Sequence, residues 1–553
     1  MQRNSTVLLI GTAVCFLLLL TSVRGDSKAI RLNSLGFLPE MPKKATVAER
    51  GDVFSVRSSE DNAVVYTGQM TGPFHQQDVS QEVWIADFSA VKTRGSFFLE
   101  VMGVGRSIDF PIGNEVYNEA FYTVTRGFYL WRCGTAVEGV HNDVRYAHGP
   151  CHLDDGWQDH TGVPDTKRDG TQGWHDAGDY GKYTVNAGIT VGTLFLAWDH
   201  FQQNLKTRSL DLPETAQGWP DFLKELKWEI DWLLKMAYPD DSGRVAHKLT
   251  RHEFSGFVMP ETDKAKRYFT EWGSAATADF VAMTAMAARY FHPYDTAYAE
   301  RCLEAARKSY AFLLAHPEDK RPDLTGFSTG GYGTSDADDR LWAAAELWQT
   351  TGEEACLTDF ENRARSASRL IDANWDWSNV GNLGMLTYLF SSRPGRNSQL
   401  VERISESLIE TADAIVKEAR NDVYARPLGG RYYWGSNGTV ARQAVLLQSA
   451  NRIAPKPDYI QTSLDAVGHL FGRNYYNRSF VTGLGNRPPM HPHDRRSAAD
   501  GIDAPWPGYL VGGGQSAVNW QDLQEDYRTN EIAINWQAAL VYAMAGFISS
   551  AEK

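Results

Sequence analysis

The chain has 553 residues, a formal net charge of −13, and 17 tryptophans within an aromatic content of 12%. That length exceeds one ordinary domain of ~100–200 residues, so two or more are expected. The acidic balance argues against nucleic acid and anionic membranes as partners and leaves neutral polymers open, including sugars that stack on flat aromatic faces.

At the N-terminus, Arg3 precedes a 14-residue apolar run from Val7 to Leu20, and Val23-Arg24-Gly25 follows with a plausible cleavage point. The run is shorter than the ~20 residues that span a bilayer and has the layout of a signal peptide over residues 1–25; a retained anchor is the alternative. Secretion is therefore expected, with no membrane association once the signal is removed. Four cysteines remain in the mature chain: Cys133, Cys151, Cys302 and Cys356. One or two disulfides are the ordinary reading for an exported protein.

Between residues 28 and 113, short β-branched and aromatic runs alternate with glycine- and aspartate-bearing turns. Examples are Lys44–Ala48, Val53–Arg57, Val64–Tyr66, Val83–Ala86 and Ser96–Val101. This spacing predicts a small β-sandwich of immunoglobulin type. After Asn114 the period becomes helical and stays so through residues 114–553. Asp221–Met236 shows it best, with Phe222, Leu223, Leu226, Ile230, Leu233 and Leu234 on one stripe and Asp221 as a candidate N-cap. Further helices are expected near 118–132, 275–291, 298–316, 336–350, 399–419, 439–452 and 531–549. Weaker ones fall near 186–203, 359–373, 381–391 and 458–471. About twelve helices fit six antiparallel hairpins closed into an α/α toroid. The expected architecture is thus multidomain: an immunoglobulin-like β-sandwich followed by an all-α (α/α)6 barrel.

Two segments carry carboxylates. In Trp174-His175-Asp176-Ala177-Gly178-Asp179-Tyr180, two aspartates three residues apart can hold one water between them, although such spacing also makes capping turns and calcium loops. Trp520–Trp536 contributes Asp522, Asp526 and Glu531, the last placed at the start of a predicted helix, where a glutamate ordinarily just complements the helix dipole.

Taken with Ser479-Phe480-Val481-Thr482-Gly483-Leu484-Gly485, Pro488-Pro489-Met490-His491-Pro492-His493-Asp494-Arg495 and Asn530-Glu531-Ile532-Ala533-Ile534-Asn535-Trp536, these segments resemble glycoside hydrolase family 9, the cellulases with an (α/α)6 barrel. The N-terminal sandwich resembles the immunoglobulin-like module of one branch of that family. Two departures stand out: Asp494 where many members have a second histidine, and Gln537 where an asparagine is common. The resemblance implies Asp179 as general base, Asp176 as a second holder of the water, and Glu531 as proton donor. Asp522 would support that acid, and His493, Arg495, His491, Trp434 and Tyr527 would line the sugar subsites. Such chemistry needs an acid for the leaving oxygen and a base for water on the opposite ring face, and inversion expects the two carboxyls ~6.5–9.5 Å apart. The acid must stay protonated near neutrality, so Glu531 is expected in a more apolar or more anionic setting than Asp179, with Asp522 as one source of negative charge.

The implied activity is a secreted, monomeric endo-β-1,4-glucanase acting on cellulose and related glucans. Exo-acting cellobiohydrolase, cellodextrinase or glucosaminidase action within the family is an alternative, as is a carbohydrate-binding protein without catalysis. Cys133, Cys151, His152 and His175 can close a tetrahedral zinc site, against a Cys133–Cys151 disulfide. The family branch resembles zinc binders at these positions, which favours structural zinc. Thr334, Asp338, Asp339 and Asp376 resemble a calcium set, with Asp500 and Asp503 a weaker one. The short linker suggests that the sandwich buttresses the barrel. Asn437 and Asn477 are glycosylation sequons in form.

Overall fold

The structure is a computed structural model that describes residues 26–549. The expected signal peptide lies outside the described residues.

Nine strands build the N-terminal sandwich: β1 (Ile30–Arg31), β2 (Lys44–Val47), β3 (Val53–Ser58), β4 (Val64–Gln69), β5 (Thr71–Gln76), β6 (Gln81–Asp87), β7 (Gly95–Val101), β8 (Gly105–Arg106) and β9 (Phe110–Ile112). One antiparallel sheet runs β1-β2-β6-β5; the other runs β4-β3-β7-β8, with β9 also on β7. Alternation drives the packing. In β3, Phe54 and Val56 point inward while Ser55 and Arg57 do not. Their inner faces meet around Val47, Leu99 and Val101, where Phe37 packs edge-on against Phe88 and Phe110 at 5.1 and 5.3 Å between ring centroids.

Twelve long helices follow among the described residues: α1 (Asn118–Leu130), α2 (Thr184–Leu205), α3 (Asp221–Met236), α4 (Ser274–Phe291), α5 (Thr296–Ala315), α6 (Ala337–Thr351), α7 (Glu354–Ser366), α8 (Gly381–Phe390), α9 (Ser398–Arg420), α10 (Ser436–Ile453), α11 (Pro457–Leu470) and α12 (Ile534–Ala545). Even-numbered helices are buried on nearly every face and pack α12–α2, α2–α4, α4–α6, α6–α8 and α10–α12. Odd-numbered helices such as α3, α5 and α9 bury one stripe. A helix that is apolar all round belongs inside and an amphipathic one outside. This is the two-ring (α/α)6 barrel, its inner ring carrying the core. No helix among the described residues is long and apolar enough to cross a membrane.

Three local expectations change. Asp221 opens α3 as its first residue rather than capping it; its carboxylate accepts from Leu210 N, Thr215 Oγ1 and Lys224 Nζ at 2.9, 2.6 and 2.9 Å, so it fastens the preceding loop. The helix expected near 359–373 ends at Ser366, and an Asx turn from Asp372 to Asn374 N (2.9 Å) follows. Glu531 lies before α12, in extended backbone, because residues 531–533 pair with His493, Val511 and Ala177.

The sandwich rests directly on the barrel. Thr46 Oγ1 donates to Val423 O (2.7 Å) and accepts from Arg473 Nε (3.2 Å), Tyr424 OH donates to Gln81 Oε1 (2.8 Å), and Arg426 pairs with Asp78. Both sequon asparagines are buried, with Asn437 Nδ2 donating to Val511 O and Asn477 Nδ2 to Lys28 O, so neither presents an amide for glycosylation.

Candidate active site

Backbone pairing brings three distant segments together at one end of the inner ring. Ala177 bridges antiparallel to Ala533, and Ile534 N donates to Asp176 O at 2.9 Å. His493 bridges parallel to Glu531, and Arg495 N donates to Gly178 O at 3.1 Å. Gly178 is obligatory at this contact: a Cβ would sit 1.9 Å from the His493 carbonyl oxygen. The Asp-Ala-Gly-Asp loop is therefore pressed against the strand that carries Glu531. Asp176, Asp179 and Glu531 then line one cleft of about 480 Å³, within the size range of small-ligand sites.

The three carboxyls have different surroundings. Asp176 is buried and accepts from Asn186 Nδ2 and Tyr332 OH, both at 2.7 Å. Burial, then the nearby Asp179 charge, pushes its pKa up to about 8. Tyr332 makes its bond from a left-handed backbone (φ +44°), a conformation held by its surroundings. Asp179 accepts from Gly181 N (2.8 Å) and Tyr183 OH (3.2 Å), both on Oδ2. Among the described residues no donor reaches its Oδ1, which leaves that oxygen for water. Glu531 receives no side-chain hydrogen bond from the described residues. Desolvation first, then the charges of Asp179 and Asp176, hold its carboxyl well above the usual range, against a smaller opposing pull from Arg495. A carboxyl that keeps its proton beside one oriented by donors is the pairing that acid–base cleavage of a glycosidic bond requires.

Asp522 departs from expectation. Arg478 Nη2 (2.6 Å), Met490 N (2.9 Å) and His491 N (2.9 Å) all donate to it, and they hold its pKa low although burial opposes them. The negative charge that acts first on Glu531 is that of Asp179. Asp522 instead braces the 490–491 turn, and Asn530 Nδ2 reaches His491 O at 2.6 Å from the residue before Glu531.

Aromatic rings flank the carboxyls. Trp434 and Tyr527 are exposed by 44% and 42%, unusual for rings so large, and stand 5.5 Å apart. Tyr527 continues to His493 (6.1 Å), which meets Phe257 edge-on (5.4 Å). Arg495 donates to Gly178 O (2.8 Å) and Ser255 O (3.1 Å) and lies over Phe254. His493 Nδ1 sits 2.7 Å from Gln524 O, and burial lowers its pKa, so the neutral ring donates there and keeps Nε2 as an acceptor. His491 is exposed on the turn above. Sequence reasoning missed Phe254, Tyr332, Trp377 and Tyr433, all of which line the cleft. Gly330-Gly331-Tyr332-Gly333 was the readable signal, an aromatic on a loop too glycine-rich to bury it.

Cys133, Cys151, His152 and His175 are buried with their ligand atoms all within 4.8 Å of one another, and both cysteines are free thiols. Cys133 Sγ to His152 Nδ1 is 3.6 Å, Cys151 Sγ to His175 Nε2 is 3.9 Å, and the two nitrogens are 3.4 Å apart. A zinc ion with bonds of ~2.3 Å to sulfur and ~2.0–2.1 Å to nitrogen has tetrahedral edges of about 3.6 and 3.4 Å. The four residues therefore fit a metal of that size. His152 holds a left-handed φ of +51° to reach it.

Of the calcium set, Thr334 and Asp338 contact the loop that carries Asp376, whereas Asp339 turns toward α4. Asp376 lies in the cleft, its oxygens taken by Arg442 Nη2 (2.7 Å), Asn535 Nδ2 (2.9 Å) and Trp377 N (2.8 Å). Asp339 is buried against Asp279 on α4. Asp338 accepts from Val380 N (2.6 Å), and Thr334 Oγ1 donates to Ser378 O (3.1 Å). Helix α6 turns consecutive aspartates to different faces, which the run of acids in the sequence does not reveal. Asp500 is likewise engaged, by Ile502 N and Trp506 Nε1.

The sequence model of the family described as glycosyl hydrolase family 9 matches residues 117–544, and that of the cellulase N-terminal ig-like domain matches residues 26–106. Endoglucanase D of Acetivibrio thermocellus is 57% identical over 526 residues, covering 95% of this chain and 84% of the relative. A metagenome-derived glycoside hydrolase family 9 endoglucanase superposes with a TM-score of 0.87 at 31% identity, covering 94% of this chain and 99% of that one. A Zn-binding triple mutant of the family 9 endoglucanase J30 superposes with a TM-score of 0.86 at 31% identity, covering 93% and 100%.

Proposed function

The chain belongs to glycosyl hydrolase family 9, and we propose that it hydrolyses internal β-1,4-glucosidic bonds of cellulose and related glucans with inversion. Glu531 gives its proton to the leaving oxygen. Asp179, with Asp176 beside it, orients a water and takes its proton as the water attacks the opposite face of the sugar. One observation supports this assignment: in a single cleft, Glu531 receives no side-chain hydrogen bond from the described residues and burial holds its carboxyl well above the usual range, while Asp179 is fixed by two donors with one oxygen left over. Exposed Trp434 and Tyr527 supply flat faces for glucose rings, and His493 and Arg495 supply polar contacts.

The endo reading is supported by the relatives named endoglucanases above. Viscometry on carboxymethylcellulose tests it. Endo attack lowers viscosity steeply per reducing end formed; slow loss with cellobiose as the sole product would instead mean exo action.

The Cys2His2 centre is proposed to hold structural zinc, all four of its positions being protein ligands. Elemental analysis of the purified chain is expected to give one zinc per molecule, and a peptide map joining Cys133 to Cys151 would refute it. The chain is further proposed to be exported, on the layout of residues 1–25, and to act as a monomer. N-terminal sequencing and light scattering of the secreted protein check these two points.

A further inference from the structure

Among the described residues, the buried polar atoms at the Cys2His2 centre without a hydrogen-bond partner include, besides His175 Nδ1, the pair His152 Nε2 and Asp263 Oδ2. They face each other at 3.6 Å, their side chains 1% and 3% exposed. A buried donor or acceptor left unmade is costly, so such a pair calls for a physical reason. The metal supplies one. His152 turns Nδ1 toward Cys133 and His175; with Nδ1 as the ligand atom, the neutral ring must carry its proton on Nε2. Asp263 is then the acceptor in place. We infer that Asp263 is a positioning residue for the metal centre: its carboxylate takes the Nε2 proton bond of His152, fixes the tautomer and ring angle, and raises the ligand's basicity. This rests on the proposal that the four residues hold zinc.

The same carboxylate reaches the cleft wall. Asp263 Oδ1 accepts from Arg251 Nη1 at 2.9 Å. Arg251 begins the segment that carries Phe254 and Ser255, and Ser255 O holds Arg495. Asp263, Arg251 and Asp179 also border one cavity of about 10 Å³, room for about a single water. Asp263 thus stands between the metal and the wall that supports the base.

The test is zinc retention by the full chain against a chromogenic chelator, with circular dichroism confirming the fold. Asp263→Asn is expected to hold zinc about 10–100-fold more weakly than wild type. Arg251→Gln, which removes the guanidinium on Asp263 Oδ1 and leaves the Ala265 N bond there and the His152 side of Asp263 intact, is expected to stay within about threefold, well short of that loss. An Asp263→Asn chain that holds zinc as tightly as wild type overturns the inference, as does an equal loss in Arg251→Gln. A crystal structure of zinc-loaded wild type gives a reading that needs no variant. The His152 Nε2–Asp263 Oδ2 distance should close to about 2.8 Å; a distance that stays at the present value counts against the role. Wild type without zinc would sink the zinc proposal itself, whereas zinc-bound wild type with an indifferent Asp263 sinks this inference alone.

Discussion

Asp522→Asn separates electrostatic support of the acid from bracing of the turn that flanks it. In the structure Asp522 Oδ2 pairs with Arg478 Nη2 at 2.6 Å, with both side chains mostly buried (12% and 19% exposed), while Oδ1 accepts from His491 N at 2.9 Å. Asparagine can keep Oδ1 as an acceptor but sets an NH2 group against the guanidinium. Met490 N, which also reaches Oδ1 at 3.1 Å, can keep that bond, so the loss is the charge-assisted hydrogen bond to Arg478, about 2 kcal/mol. For a unit of some 430 residues, the unfolding entropy of ~2.1 cal/mol/K per residue makes that a drop in Tm of about 2 °C. If Asp522 instead kept Glu531 protonated, the alkaline limb of kcat/KM would move to lower pH, by about one unit for each ~1.4 kcal/mol of lost interaction. Calorimetry and a pH profile on cellohexaose read both quantities. A lower Tm with an unmoved limb is expected; a limb displaced by about one unit at unchanged Tm would refute the bracing role.

Three further perturbations bear on the carboxyls. Glu531→Gln should cut hydrolysis of cellohexaose by about 10²–10⁴-fold but spare much of the rate on a dinitrophenyl cellobioside, whose leaving group needs no proton; equal losses on both would contradict its role as acid. Asp176 has its pKa raised to about 8 in the folded chain, so the folded state binds more protons than the unfolded one from about pH 4 to pH 8, and stability falls as pH rises through that window. Asp176→Asn should therefore raise Tm most at pH 8 and hardly at pH 4, and a lower Tm at pH 8 would refute this. Asp279 and Asp339 face each other with all four carboxyl oxygens lacking other partners, and burial, then their mutual repulsion, raises Asp339 well above the usual range. Asp339→Asn supplies a permanent donor and should stabilise the chain more at pH 8 than at pH 5 and hardly at pH 4; thermal melts that show no gain at pH 8 would refute this.

Much of this could be read from the residues, for identifiable reasons. The extent of helix α3 is legible because its apolar stripe and the preceding proline fix its period and place its start within one residue, although Asp221 opens the helix rather than capping it. The Cys133, Cys151, His152 and His175 set, read from the sequence as one group, comes together in the fold with its ligand atoms within 4.8 Å. Glu531 was found in sequence but put on the wrong kind of backbone: its extended conformation comes from pairing with His493, almost forty residues away, which no local pattern encodes. The same holds for Asp522, whose donors at Arg478, Met490 and His491 are visible only after folding, and for Asp376, where an oxygen-rich sequence hid an arginine from α10. Local periodicity reports which face of an element is buried. It does not report which partner meets it.

The most direct measurement is the anomeric form of the first product. Proton NMR of cellohexaose immediately after mixing with enzyme should show the α-anomer at the new reducing end before mutarotation, because water delivered by Asp179 attacks the face opposite the departing chain. The β-anomer appearing first would mean that a carboxylate, not water, attacks the sugar, and neither Asp179 as base nor Glu531 as its partner acid would stand.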